Sequence, residues 1–307
     1  LACPECGPRL AWEAAPGAEI SARDGAALAA AVAALRRGAI VAVRGVGGYH
    51  LLTDARDAGA IARLRERKAR PGKPLAVLFP ATGADELDAV RAWLAPDAAE
   101  AEALRRPERP IVLCRRRPNG LPDDLAPGLD EIGALLPYSP LHELLAADFE
   151  GPLVATSANI SGEPVLTEPD AVRQRLGEVA DAFLHHDRPI RRPADDSVVR
   201  VIAGRVRCLR LGRGLGPREI PLPQPLARPS LATGGHLKNA PALGISQRAL
   251  LAPHIGDQES PRARDTLAAV AADLGRLYGI DTERRITDQH PDYGPHRWAR
   301  DQADKRP

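Results

Sequence analysis

A chain of 307 residues with 44% hydrophobic residues is long enough for roughly two domains, each with a core in which aliphatic packing dominates because aromatics make up only 3%. Its 42 basic residues are balanced by 40 acidic ones, for a net charge of +2, which gives no support to a general nucleic-acid or membrane-surface binder. No apolar run approaches the ~20 residues of a membrane span, and four cysteines do not make a secreted disulfide framework.

The chain opens on Cys3-Pro-Glu-Cys6-Gly, which has the turn and spacing of half a tetrahedral zinc site. No second Cys-x-x-Cys supplies the other half. No basic segment precedes an apolar one, so no signal peptide is expected, and a reducing cytoplasm fits the cysteine usage. The sequence contains no methionine and begins at Leu1. An intact translated chain starts with methionine, so a fragment or trimmed protein is expected.

A helix is predicted over 25–37, with Asp24 as its N-cap and Gly38 as its stop. A strand at 39–44 leads into a glycine loop, Gly45-Val-Gly-Gly-Tyr-His50. A helix over 55–68 runs into Lys68-Ala-Arg70-Pro-Gly-Lys73-Pro, followed by a strand at 75–79. Helices follow near 84–92 and 97–105, then a strand at 110–115, a helix at 140–147, a strand at 152–156 and a helix at 168–177. Further strands are predicted at 181–185, 197–202 and 205–210, the last two joined by a hairpin turning at Ala203-Gly204. Strands and helices interleave irregularly, which predicts an α/β fold with a mixed sheet. Cys114 and Cys208 each close an apolar run and read as buried thiols. Pro217 to Pro229 is proline-rich, with the linker placed at 223–230, and a second unit is expected over 231–307.

Two segments carry the chemistry. Lys68, Arg70 and Lys73 stand together where the pre-proline position ends the helix. Thr156-Ser157-Ala-Asn159-Ile-Ser161-Gly follows an apolar strand, where ligands of α/β sheets bind. Fixed cations on one segment, with short hydroxyl and amide groups on the other, describe a site for a phosphorylated anion. Other groups point to less. His142 reads as a packed or surface residue. The neighbours His185 and His186 face opposite sides of a strand, cannot readily share an ion, and read as structural. The spacing of His254, Asp257, His290 and Asp292 specifies no metal site.

Residues 15–222 resemble the YrdC domain, and the chain as a whole resembles the HypF family of hydrogenase maturation carbamoyltransferases. The resemblance rests on Cys3-Pro-Glu-Cys-Gly-Pro-Arg-Leu, Arg44-Gly-Val-Gly-Gly-Tyr-His-Leu, Lys68-Ala-Arg-Pro-Gly-Lys-Pro-Leu-Ala-Val, Leu136-Pro-Tyr-Ser-Pro-Leu-His, Thr156-Ser-Ala-Asn-Ile-Ser-Gly-Glu-Pro and Asp195-Asp-Ser-Val-Val-Arg. Gly234-Gly-His-Leu-Lys-Asn and His254-Ile-Gly-Asp-Gln-Glu resemble the opening of the family's TsaD-like, actin-like domain. What this implies is a YrdC-like twisted mixed sheet with flanking helices, then a truncated actin-like α/β segment. Residues 1–14 would be a remnant of the zinc-finger region; the acylphosphatase domain and most of the C-terminal domain would be absent.

The implied activity is formation of carbamoyl-adenylate from ATP and carbamoyl phosphate, by way of carbamate, for transfer to the C-terminal cysteine of HypE. Lys68 and Arg70 would hold the triphosphate and the carbamate carboxylate, with Lys73 at the rim. Thr156, Ser157, Asn159, Ser161 and Ser197 would line the nucleotide, and Arg210 and Arg213 would add phosphate contacts. Asp195 or Asp196 would help hold Mg²⁺. The Gly47–His50 loop would close the small carbamoyl pocket. Gly234, Gly235, Lys238 and Asn239 would form a phosphate loop in the second unit. Cys3 and Cys6 would be half of a zinc site. The alternatives are a threonylcarbamoyl-adenylate synthase for tRNA modification and an RNA-binding YrdC-like module. Stand-alone synthases lack both the Cys3–Cys6 and Gly234–Asn239 segments, and RNA binding is disfavoured by three Phe, four Tyr and three Trp in the whole chain.

Overall fold

A computed structural model describes Cys3 and residues 5–118, 120–160 and 162–303. The chain divides into two compact units: Leu1–Ala158, Val165–Arg191 and Ser197–Leu209 form the first, and Asn159–Pro164, Arg192–Asp196 and Arg210–Pro307 form the second.

The first unit is built on a mixed sheet. Its strands are β1 (Leu10–Glu13), β2 (Ile20–Arg23), β3 (Val41–Arg44), β4 (Tyr49–Asp54), β5 (Ala76–Leu78), β6 (Ile111–Arg115), β7 (Glu131–Leu135), β8 (Leu153–Ser157), β9 (Ala182–His186), β10 (Val198–Ile202) and β11 (Arg205–Arg210). They lie in the order β11-β10-β6-β7-β5-β8-β4-β3-β9-β1-β2. The helices are α1 (Asp24–Arg36), α2 (Ala58–Arg67), α3 (Asp88–Trp93), α4 (Ala98–Arg105), α5 (Pro140–Phe149) and α6 (Pro169–Leu176). β3 is buried on both faces, so its run of Val-Ala-Val is continuous rather than alternating. α1 turns Ala27, Leu28, Ala31, Val32 and Leu35 inward, and these pack with Val41, Val43, Leu145, Phe149 and Leu184 in one core. α5 starts sharply because Ser139 Oγ accepts from His142 N and Pro140 fills the first turn.

Several expectations are corrected. Asp24 does not cap α1. It sits inside the helix start at φ 48°, and its carboxylate is drawn instead to Leu10 N at 3.1 Å and Arg9 at 3.4 Å. The helix expected over 84–92 begins only at Asp88, because Gly83 and Glu86 both take left-handed φ and make a turn first. Residues 10–13, read as part of a remnant, form β1, which pairs antiparallel with β9. Cys114 is buried, but Cys208 on β11 is half-exposed. The hairpin at Ala203-Gly204 is present, with φ of 51° and 70° at its two corners, the signature of a turn matched to strand twist.

In the second unit, β12 (Arg218–Pro221), β13 (Ser230–Ala232), β14 (Ala242–Ile245), β15 (Arg248–Leu251) and β16 (Arg284–Ile286) lie in the order β12-β15-β14-β13-β16. α7 (Pro261–Tyr278) lays Leu274 on Leu243, Leu250 and Ala252, and α8 (Gly294–Ala303) comes next in the chain. β12 occupies part of the proline-rich stretch and pairs with β15, so that stretch is not wholly a linker.

Candidate nucleotide site

In the first unit, four adjacent strands bring their ends to one side of the sheet. β8 ends at Ser157, which pairs with His50 at the start of β4. Arg44 at the end of β3 pairs with Tyr49, and β9 runs parallel to β3. Tyr49 sets the course of the chain beyond β8: Ala158 N donates to Tyr49 O at 2.8 Å and Tyr49 N donates to Leu166 O at 2.9 Å. The segment after Ser157 therefore leaves the strand in one defined direction.

Lys68 meets this end. It is the C-cap of α2, and Ala69 at φ 48° turns the chain back. The Lys68 ammonium then donates to Ser157 O at 2.5 Å. Arg65, one turn earlier, moulds the basic loop. Its buried guanidinium donates to the carbonyls of Arg70 at 2.8 Å, Pro71 at 3.2 Å and Lys73 at 3.1 Å, and to Asp124 O at 2.6 Å. Burial pulls the Arg65 pKa below its ordinary value, and the ring of carbonyls supplies the acceptors a buried cation needs. Sequence reasoning passed over Arg65, and its signal was slight: it lies four residues after the buried Ile61, on the inward face of the helix.

Arg70 donates to Pro74 O at 2.9 Å. It lines a cleft of about 460 Å³ with Arg65, Glu66, Pro71 and Asp124, a cleft whose lining includes neither Lys68 nor Ser157. Lys73 is exposed and Thr156 is buried in β8. Ser197 is fully buried, and its carbonyl accepts from Ile111 N at 2.8 Å. It precedes β10, separated from β8 in the sheet by β6, β7 and β5.

A second group was undervalued in the sequence. His142 is fully buried, and His50 is 7% exposed. His50 Nδ1 meets Tyr138 OH at 3.2 Å, and His142 Nδ1 meets Ser139 Oγ at 2.8 Å. The rings of Tyr138 and His142 lie 4.4 Å apart. This polar cluster backs the glycine loop: a Cβ on Gly45 would come within 2.9 Å of Tyr138 OH.

The remaining candidates belong to the second unit. The Asn159 side chain donates to Glu163 O at 2.6 Å, and Ser161 lies outside the described residues. Arg210 donates to Asp196 O, and Arg213 pairs with the Asp196 carboxylate at 2.9 Å, the Arg213 and Asp196 side chains both nearly buried. Arg213 is thus no surface charge. Asp195 keeps a buried carboxylate oxygen without a partner among the described residues. Gly234 takes φ 76°, and a Cβ there would meet Ala240 O at 2.8 Å, so only glycine fits. Asn239 is fully buried and spends its amide N–H groups on Thr233 O at 2.9 Å and Gly235 O at 2.6 Å. It holds the loop's shape, leaving Gly235 and Lys238 exposed.

Cys3 and Cys6 are exposed. Backbone N–H groups of Cys6 and Glu5 hold the Cys3 thiol below its ordinary value. Two thiols are half of a structural zinc shell, and among the described residues no group of three or more His, Cys, Asp or Glu gathers to complete one. No helix of the described residues is long and apolar enough to cross a membrane.

Comparison with known proteins gives matches along most of the chain. The Sua5/YciO/YrdC family, described as telomere recombination, matches residues 33–212. The HypF Kae1-like domain matches residues 225–307. The carbamoyltransferase HypF of Rhodobacter capsulatus is 44% identical over 295 residues, covering 95% of this chain and 38% of the relative. HypF of Synechocystis sp. is 40% identical over 286 residues, covering 93% of this chain and 37% of the relative. The crystal structure of full-length HypF in the phosphate- and nucleotide-bound form superposes with a TM-score of 0.88 at 33% identity, covering 98% of this chain and 38% of that one. The chain spans less than two-fifths of the length of these relatives.

Proposed function

The chain belongs to the Sua5/YciO/YrdC family and is HypF-like, and from that premise we propose that residues 15–222 are an adenylation module forming carbamoyl-adenylate from ATP and carbamate, the carbamate deriving from carbamoyl phosphate. Residues 231–307 would open the domain that passes the carbamoyl group onward, with the C-terminal cysteine of HypE as acceptor and cyanide-ligand synthesis for nickel-iron hydrogenase as the outcome. The observation that carries the reading is the Lys68 ammonium held against Ser157 O at the end of β8.

The reaction asks little covalent work of the protein. A carboxylate oxygen of carbamate attacks the α-phosphorus of ATP, the new O–P bond forms, and the bond to the bridging oxygen breaks to release pyrophosphate. Positioning and charge stabilisation supply the rate. Lys68, fixed at one end of the sheet, places a positive charge against the triphosphate. Arg70 adds a guanidinium able to grip two oxygens at once, and Lys73, Thr156, Ser157 and Ser197 are the further expected contacts within the first unit; Asn159, Ser161, Arg210 and Arg213, also expected contacts, belong to the second unit. Of the two aspartates, Asp195 suits Mg²⁺, which would neutralise phosphate charge, because its buried oxygen is uncommitted among the described residues while Asp196 is bonded to Arg213. In the second unit Gly234, Gly235, Lys238 and Asn239 form the candidate phosphate loop.

The test is ATP–pyrophosphate exchange with ATP, Mg²⁺ and either carbamoyl phosphate or ammonium carbamate. Exchange that requires the carbamoyl donor supports the reading. A threonylcarbamoyl product from threonine, bicarbonate and ATP, or tight RNA binding with no ATP turnover, would replace it.

A further inference from the structure

The basic loop between α2 and β5 lies on the surface, with Pro71, Gly72, Lys73 and Pro74 exposed, yet its carbonyls are turned onto guanidinium groups. Those of Arg70, Pro71 and Lys73 accept from Arg65 Nη1 at 2.8, 3.2 and 3.1 Å, and that of Pro74 accepts from Arg70 Nη2 at 2.9 Å. The rest of the Arg65 fork is spent on the turn Asp123–Leu125: Nε donates to Asp124 O at 2.6 Å and Nη2 to Leu125 O at 3.3 Å. One residue, 8% exposed, thus ties the loop to a neighbouring turn. These carbonyl oxygens satisfy its N–H groups and leave its positive charge in place behind the loop. Ala69 shows how firmly the loop is held, since a non-glycine residue at φ 48° persists only where its surroundings over-determine it.

The direction of those carbonyls fixes what the loop shows outward. In a planar trans peptide the C=O of one residue and the N–H of the next point opposite ways. The carbonyls of Arg70 and Lys73 precede Pro71 and Pro74, which have no N–H. That of Pro71 precedes Gly72 across a trans bond, so the Gly72 N–H points away from Arg65. Gly72 is exposed, and a Cβ there would meet nothing within 4 Å. The outer surface of the loop therefore offers an N–H dipole next to the exposed Lys73, while the carbonyl dipoles of Arg70, Pro71 and Lys73, which would repel an anion, are withdrawn. Ionised phosphate oxygens only accept, and this is the polarity that suits them.

We propose that Arg65 is a positioning residue for the phosphorylated substrate: by drawing the loop's carbonyls inward it aims the Gly72 N–H outward, and this main-chain donor joins Lys68 and Lys73 in binding the nucleotide's polyphosphate. Arg65 itself touches no substrate and acts through the loop. The assignment rests on the proposed adenylation and adds to it one donor, Gly72 N–H, and the residue that orients it. Lysine at position 65 keeps the charge but replaces a planar fork with a single ammonium, which cannot serve the loop and the Asp123–Leu125 turn together.

Arg65→Lys tests it. ATP–pyrophosphate exchange with ammonium carbamate is measured in the parent and in the variant, at a temperature where circular dichroism shows both folded. The expected result is a rise of at least tenfold in the KM for ATP. A merely structural role would lower the amount of folded enzyme, which reduces kcat and leaves KM alone; a KM for ATP within twofold of the parent overturns the positioning role and leaves the adenylation reading standing. Should the parent show no exchange at all, the adenylation reading falls, and the loop is judged by direct titration with sodium pyrophosphate. Binding to the parent that weakens at least tenfold in Arg65→Lys supports the assignment; equal binding in the two, or none in the parent, overturns it. Should Arg65→Lys fail to fold, the parent labelled with ¹⁵N-glycine carries the test, its Gly72 amide signal identified by its loss in Gly72→Ala. A saturable shift of that signal on adding sodium pyrophosphate supports the assignment, and a signal that does not move overturns it.

Discussion

Replacing Glu13 by Gln removes one buried negative charge from the first unit without changing shape. Glu13 is fully buried. Its Oε2 accepts from Arg173 Nε at 2.7 Å and His185 Nε2 at 3.0 Å, and its Oε1 from Gly17 N at 2.7 Å. His185 passes the order on, its Nδ1 accepting from Tyr49 OH at 2.7 Å. Glutamine can still accept from Gly17, but its NH₂ turns toward two donors. Hydrogen bonds to charged groups contribute about 1.5–3 kcal/mol each. The Arg173 side chain is 31% exposed and regains some water, so the expected loss is about 3 kcal/mol, at the lower end for a broken buried pair. At about 2–4 °C per kcal/mol for a unit of this size, Tm falls by about 6–12 °C.

The pH dependence adds a second constraint. Burial pushes the Glu13 carboxyl up, but the bonds from Arg173, His185 and Gly17 outweigh it and leave it below its ordinary value. A carboxyl depressed in the folded state binds fewer protons there than in the unfolded chain. Its stabilisation is complete above the unfolded value and is lost as pH falls through the folded one. The parent should therefore exceed Glu13→Gln fully at pH 7, with the gap closing below about pH 4. Thermal unfolding by circular dichroism across this range is the assay. A Tm difference under 2 °C at pH 7, or a gap that widens in acid, would refute the reasoning.

Gly48→Ala should destabilise the first unit by about 1–3 kcal/mol through overpacking, because its Cβ would lie 2.3 Å from Val165 Cγ2. Val165→Ala in the same chain should recover part of the loss, since it removes the two methyl groups but leaves the Val165 Cβ 3.0 Å away, measured by denaturant unfolding; additive losses would show the clash is not the cause. A thiol-reactive chromophore should titrate the exposed Cys3 and Cys6 quickly and Cys114 only after denaturation, since burial holds the Cys114 thiol up and protonated; prompt labelling of Cys114 in the native chain would contradict its placement.

What could be read from the sequence depended on how local its cause was. The strand Val41–Arg44, the helix Ala98–Arg105 with its Asp97–Glu100 capping box and the hairpin at Ala203-Gly204 are each specified within a few residues. Asp24 had the chemistry of a cap and was taken by Arg9 and Leu10 N, a competition that local sequence does not reveal. β1 was missed because its burial comes from pairing with β9, more than 170 residues away. The same holds for the site. Lys68 and Ser157 were each visible as chemistry, and their contact comes from sheet order. Arg65 and His142 looked ordinary because what gives them a role is the set of carbonyls and rings folded around them.

The central claim is that Lys68 at the end of β8 holds a nucleotide's phosphates during adenylation. The measurement that tests it most directly is carbamoyl-donor-dependent ATP–pyrophosphate exchange in Lys68→Ala and Arg70→Ala, each checked for a native circular dichroism spectrum. The account predicts exchange lost by at least a hundredfold in Lys68→Ala with the fold intact, and loss in Arg70→Ala as well if its guanidinium reaches the same phosphates. Exchange at the parent rate in folded Lys68→Ala would contradict it.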